Sequence, residues 1–123
     1  MAKRARLSRQ QAEARGRRAE TFAALLLQAK FYTILDRRVR LPVGEIDLIA
    51  KRGNTLAFIE VKQRQTLEQC QNAVSFQSWK RISSAAASWA SAKPQLQNCD
   101  WRYDLVAVTP RRLPQHFADF WRP

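Results

Sequence analysis

Hydrophobic and polar positions along this chain fall into two helical stretches and several strand-like ones. Ala12, Ala19, Phe22, Leu26 and Ala29 recur at helical spacing. Ser8 with Gln11 three residues later fits a capping box, so a first helix is expected over residues 8–29. Glu20 falls off that apolar face, on a stripe with Gly16, Ala23, Ala24 and Leu27. A carboxylate with small or apolar neighbours above and below it is an unusual placement. Residues 31–35 read as a short strand. Residues 45–50 and 55–62 alternate on either side of Gly53-Asn54, a turn signal, and read as a β-hairpin. Residues 63–74 show no clear period and are expected to be a loop. Ser75 caps a second helix with Trp79, Ile82, Ala86 and Trp89 on one face, ended by Lys93-Pro94. A further strand is expected over 103–108. The tail, 115–121, reads as a short turn docking Phe117, Phe120 and Trp121.

A chain of 123 residues suits one compact domain, with residues 1–7 as a basic N-terminal arm and 8–123 as the single domain. At 46% hydrophobic residues the composition is globular. Lys and Arg total 22 against 10 Asp and Glu, a formal net charge of +12. That excess on a small body makes nucleic acid the leading partner class. Cys70, Cys99 and the single His116 are too few and too scattered for a zinc site. The longest apolar run, 22–27, is far short of the ~20 residues needed to span a bilayer. Charges at Glu13, Arg17, Arg18 and Glu20 interrupt any signal-peptide core. A cytoplasmic protein without membrane contact is expected.

The scarce acidic residues cluster on the hairpin. Glu45 and Asp47 lie two apart on one strand, and Glu60 and Lys62 two apart on the other. With Gly53-Asn54 as a two-residue loop, paired positions sum to 107 and Asp47 stands opposite Glu60. With Arg52-Gly53 as the loop the sum is 105 and Glu45 stands opposite Glu60. Either odd sum brings all four groups to one face; an even sum splits them. Opposed carboxylates repel, by several tenths of a kcal/mol. A divalent cation resolves that repulsion, since Mg²⁺ takes hard oxygens from one or two carboxylates and keeps several waters. Lys62 beside them could steady a developing phosphorane charge, which together is equipment for phosphodiester hydrolysis. The competing reading is a cross-strand Glu45–Lys62 ion pair, with Asp47 or Glu60 turned to nearby arginines.

The blocks 44–50 (Gly-Glu-Ile-Asp-Leu-Ile-Ala) and 58–62 (Phe-Ile-Glu-Val-Lys) with Arg64 resemble the centre of the YraN-like family of small bacterial proteins. Residues 16–20, 102–108 and 116–121 are similar to its first-helix, last-strand and aromatic-tail segments. The resemblance implies membership of the PD-(D/E)xK nuclease superfamily and its restriction-endonuclease-like fold. It implies Asp47 and Glu60 as ligands of Mg²⁺ or Mn²⁺, the Val61 main-chain carbonyl as a third, and Lys62 as the catalytic lysine. Glu20 would be the supporting first-helix carboxylate, and Glu45 a further supporting position. Against the family pattern, Ala19 and Lys30 replace glycines, Arg38 stands where asparagine is common, and Ser78-Trp79 replaces a Lys-Gln pair.

Arginine outnumbers lysine 16 to 6, which favours phosphate recognition through the guanidinium fork. Arg15, Arg17 and Arg18 on the first helix and Arg37, Arg38 and Arg40 before the hairpin are the candidate nucleic-acid contacts, DNA ahead of RNA. No pattern reads base sequence. The expected fold is α/β, a mixed sheet of about four strands flanked by two main helices. The expected function is a metal-dependent nuclease. The alternatives are a basic DNA- or RNA-binding module with a vestigial site and, more remotely, a ribosome-associated factor. Self-association as a homodimer is left open.

Overall fold

Nine-residue strands with continuous buried stretches, covered on both faces, build the centre of a single mixed sheet in the computed structural model, which describes residues 2–123, with side chains from Ser8 onward. The strands are β1 (Thr33–Leu41), β2 (Gly44–Arg52), β3 (Thr55–Gln63), β4 (Asp100–Val108) and β5 (Gln115–Trp121), in the order β1-β2-β3-β4-β5. Only β3 and β4 are parallel, so their connection must cross over, and helices α2 (Leu67–Gln71) and α3 (Phe76–Ala90) provide the crossover. Helix α1 (Ala2–Ala29) packs on the other face. The α/β class expected from the sequence is borne out, with five strands rather than four.

Each face has its own core. Ala19, Ala23, Ala24 and Leu27 of α1 cover Leu48, Ala50, Ala57, Ile59, Val61, Val106 and Val108. Trp79, Ile82, Ala85, Ala86 and Trp89 of α3 cover Ile49, Leu56, Phe58, Tyr103 and Leu105. The helix capped by Ser75 therefore buries the face its periodicity indicates. Ser75 is its N-cap, with Oγ accepting from the Ser78 N–H.

Four expectations need correction. Helix α1 runs from Ala2 rather than opening at Ser8, because Ala, Lys, Arg and Leu before Ser8 all favour helix. The side chains of the basic arm lie outside the described residues. The buried face of α1 is the alanine stripe beside Glu20, while Phe22 is half exposed; small residues let the helix lie close to the sheet. Segment 63–74 contains α2, whose capping box pairs Thr66 with Gln69. It is too short to show a period.

The fourth correction is the tail, which is a strand. Asp104, fully buried on β4, accepts hydrogen bonds from Arg102 Nε and a terminal guanidinium nitrogen (2.9 and 2.8 Å) and from the Asp119 N–H (2.9 Å). His116 Nε2 lies 2.7 Å from its Oδ2. These side-chain bonds tie β5 on where the β4–β5 register shifts between Tyr103 and Leu105 and Asp119 takes a positive φ of 55°. Burial alone would raise the Asp104 pKa, but the bonds from His116, Arg102 and the Asp119 amide outweigh it and hold the carboxyl below its usual range.

Gly44 opens β2 at a close approach: a Cβ there would lie 2.5 Å from the Arg81 carbonyl oxygen of α3. Only glycine lets the helix backbone seat against the strand at this point.

Asp104→Ala strands Arg102 and His116 beside an uncharged, buried position. Urea unfolding should show a loss of about 3–5 kcal/mol, and a loss below 1 kcal/mol would show that β5 is held by its aromatic packing alone.

Candidate active site

The hairpin register follows from its turn. Gly53 adopts φ +59° and Arg52 pairs with Thr55, so paired positions sum to 107. That ladder continues only as far as Leu48↔Ile59. Beyond it the Val61 N–H donates to Asp47 Oδ2 at 2.8 Å. Strict alternation on β2 also breaks here: Ile46 and Ile49 both join the α3-side core, whereas Leu48 joins the α1-side core. On β1, Arg38 lies between the Arg37↔Leu48 and Val39↔Ile46 pairs, beside Asp47, and takes a left-handed φ of 50°. Left-handed backbone costs a residue other than glycine about 1–2 kcal/mol, and asparagine tolerates it better than arginine. Both strands therefore leave regular geometry at the level of Asp47.

Glu20, Glu45, Asp47, Glu60, Val61 and Lys62 line one cavity of about 490 Å³ on the α1 side, with Arg15, Gly16, Gln63 and Arg64. The five ionisable groups singled out on α1 and the hairpin are thus gathered. Lys62 Nζ stands 3.2 Å from Glu60 Oε1, with both side chains largely buried. Glu20 Oε2 accepts a 2.6 Å bond from Arg38 Nε. Glu45 is exposed and stands across from Arg40 on β1.

The arginines divide. Arg15 lines the cavity and Arg38 holds Glu20. Arg17 and Arg18 line a separate groove on the outer side of α1 with Phe22. Arg37 and Arg40 are exposed on β1 and line neither of the two cavities around the carboxylates. Sequence reasoning gave no site role to Arg81 of α3, which with Ser78 lines a second cavity against Glu45, Glu60 and Lys62. Their place on the polar side of a helix looks like ordinary solvent exposure. The close approach at Gly44 was the available signal.

Burial and the Asp47 charge push the Glu60 carboxyl up to about 8, with Lys62 opposing them only in part. One proton is therefore held by this pair at neutral pH in the absence of a cation. Among the described residues no three His, Cys, Asp or Glu side chains are grouped to hold a metal by themselves. Two carboxylates and a backbone carbonyl with water completing the shell suit Mg²⁺ or Mn²⁺ and do not suit zinc. The donor chemistry fits a hard divalent cation.

The profile described as Uncharacterised protein family UPF0102 matches residues 19–108, from the middle of α1 to the end of β4. This chain belongs to the UPF0102 family. A UPF0102 protein of Chelativorans sp. (strain BNC1) is 50% identical over 117 residues, covering 95% of this chain and 94% of its own. UPF0102 protein Mmar10_3014 of Maricaulis maris is 47% identical over 116 residues, 94% of this chain and 91% of its own. UPF0102 protein Atu0303 of Agrobacterium fabrum is 49% identical over 111 residues, 90% and 91% of the two chains. The resemblance to the YraN-like family is thereby borne out. The UPF0102 match contains Glu20, Glu45, Asp47, Glu60 and Lys62 but stops before β5. Among the described residues no helix is long and apolar enough to cross a membrane.

The Glu60 shift makes stability depend on pH. Its folded pKa lies above the ordinary value of 4.5, so its contribution is fully present below that value and is lost as pH rises through about 8. In EDTA, the melting temperature should fall by several degrees between pH 5 and 9. Glu60→Gln should flatten that fall, and Mg²⁺ or Mn²⁺ should reverse it in the parent chain. A flat profile for the parent chain would mean that the pair is not a buried, proton-sharing one.

Proposed function

We propose that this chain is a divalent-metal-dependent nuclease that hydrolyses phosphodiester bonds in DNA. The observation that carries the reading is the Asp47–Glu60–Lys62 group at the end of the β2–β3 ladder. Glu60 is largely buried beside the Asp47 carboxylate, which raises its pKa, and the Lys62 ammonium stands 3.2 Å from it. The resemblance to the PD-(D/E)xK superfamily and the α/β fold support it. So does a formal net charge of +12, which draws a polyanion to the surface.

Asp47, Glu60 and the Val61 carbonyl would hold Mg²⁺ or Mn²⁺. The bound cation supplies Lewis-acid activation of phosphate and water. Asp47 is pre-positioned by the Val61 N–H, which fixes one of its oxygens at 2.8 Å. Lys62 offers N–H donors to the phosphate oxygen whose negative charge grows as the incoming water oxygen bonds to phosphorus and the leaving oxygen departs. Glu20, pinned by Arg38, supplies a further anionic oxygen at the α1 wall of the cavity.

A second reading is a non-catalytic DNA- or RNA-binding module. The observation that favours it is that Glu60 and Asp47 have partners within the chain, the Lys62 ammonium and the Val61 amide.

Cleavage assays with Mn²⁺ on duplex, branched and single-stranded substrates separate the two. Asp47→Ala and Glu60→Ala should lower cleavage by at least about 100-fold, while metal-free binding persists. Lys62→Ala should keep metal binding, read by thermal shift, and slow the chemical step. Binding without cleavage by the parent chain would establish the second reading.

Binding strength should also fall steeply with salt, with log K against log salt sloping near −5 if about six duplex phosphates are contacted. Affinity that ignores salt would assign the positive charge to another purpose.

A further inference from the structure

A β-sheet normally separates its two faces, yet here the same three residues border cavities on both. Glu45, Glu60 and Lys62 line the cavity of about 490 Å³ on the α1 side and also a cavity of about 570 Å³ on the α3 side. The β2–β3 ladder has already ended at Leu48↔Ile59, and beyond it the strands are joined by the Val61 N–H bond to Asp47 rather than by backbone pairing. Each cavity carries its own exposed arginines: Arg15 and Arg64 on the α1 side, Arg81 with Ser78 on the α3 side. Neither Arg15 nor Arg81 makes an ion pair among the described residues. The Arg81 backbone is held in place, since its carbonyl abuts Gly44 at the start of the strand that carries Glu45 and Asp47.

We infer that a locally single-stranded polynucleotide crosses the sheet at this opening, with Arg81 as a positioning residue for the phosphate on the α3 side. This rests on the nuclease reading of the same site and goes beyond it in naming the strand path and the α3 contact. The scissile phosphate lies at Glu60 and Lys62, between a neighbouring phosphate at Arg15 and another at Arg81. Cavities of this size hold a drug-sized unit, which is one nucleotide and not a duplex. A base-paired duplex reaches one wall only, so Arg81 distinguishes single strands from duplex.

The test uses a fluorescein-labelled twelve-residue oligothymidylate and a blunt hairpin duplex, with anisotropy read in EDTA over a salt series. Arg81→Ala should weaken binding of the single strand several-fold and make its salt slope shallower by about 0.7, the value of one phosphate contact on a single strand. Arg81→Lys should restore most of both. Duplex binding should not change. Arg112→Ala, which removes the same charge from an exposed loop, should leave the single-strand slope as it was. With Mn²⁺, Arg81→Ala should raise KM on single strands while kcat stays within about twofold.

If Arg15→Ala weakens single-strand binding and Arg81→Ala does not, the strand stays on the α1 face and the crossing is overturned. Equal losses on single strand and duplex overturn it as well, since they reduce Arg81 to general surface charge. A parent chain that binds duplex or single strand and cleaves neither removes the nuclease reading, and an unaltered Arg81→Ala profile beside normal cleavage removes the crossing alone.

Discussion

The hydrogen bond from the Val61 amide to the Asp47 carboxylate is the contact on which the site depends. It stands where the β2–β3 ladder has stopped, so a side chain answers a backbone donor at the place where the two strands part. An amide without an acceptor there would cost about 1–3 kcal/mol, so opening a sheet requires some such substitute. In making that bond Asp47 is anchored on β3, beside Glu60, while its own strand turns away. Arg38 on β1 absorbs the same departure in its left-handed backbone. Opening, carboxylate pair and strained arginine are one local arrangement spread over three strands.

Charge is distributed unevenly around this arrangement. The body is strongly basic, yet five carboxylate or ammonium groups of the hairpin and α1 meet in one cavity. The surrounding arginines draw an anion in, while the carboxylate pair at the centre repels it until a cation or a proton is bound. Elsewhere the same conflict between burial and charge has a different solution. Asp104 has no exposure at all but accepts four hydrogen bonds and is held ionised by them. Glu60, with a single ammonium and a competing carboxylate, is pushed the other way.

Much of this was legible in the amino-acid sequence. A period of two predicts Glu45, Asp47, Glu60 and Lys62 on one face, and Gly53 selects the register with the sum of 107. All four line one cavity, although the paired register ends at Leu48↔Ile59 and Asp47 meets the Val61 amide instead of standing opposite Glu60 in the ladder. The second helix and its buried face followed from Ser75 and the spacing of its tryptophans. What was hidden has a common cause: side chains or close approaches that replace regular repeats. β5 is attached partly through the Asp104 carboxylate, α2 is one short capped turn, and the buried stripe of α1 is alanine, whose apolarity is too slight to stand out against Phe22 and Leu25. Arg81 joined the site only through a missing Cβ at Gly44.

The two cores also differ in what can be seen of them. All four tryptophans, Trp79, Trp89, Trp101 and Trp121, belong to the α3 side, where Phe58 lies 5.3 Å from Trp101 and 6.2 Å from Trp89, and Trp79 stacks on Trp121 at 5.8 Å. The α1 side is closed by alanines, leucine, isoleucines and valines with Tyr32. Intrinsic emission at the red edge of the spectrum therefore reports on one layer of this protein and is silent about the other. Undocking of α1, the helix that brings Glu20 to the site, would pass unnoticed by tryptophan fluorescence. Far-ultraviolet dichroism would register the melting of α1 once undocked, because 28 of the chain's residues lie in that helix.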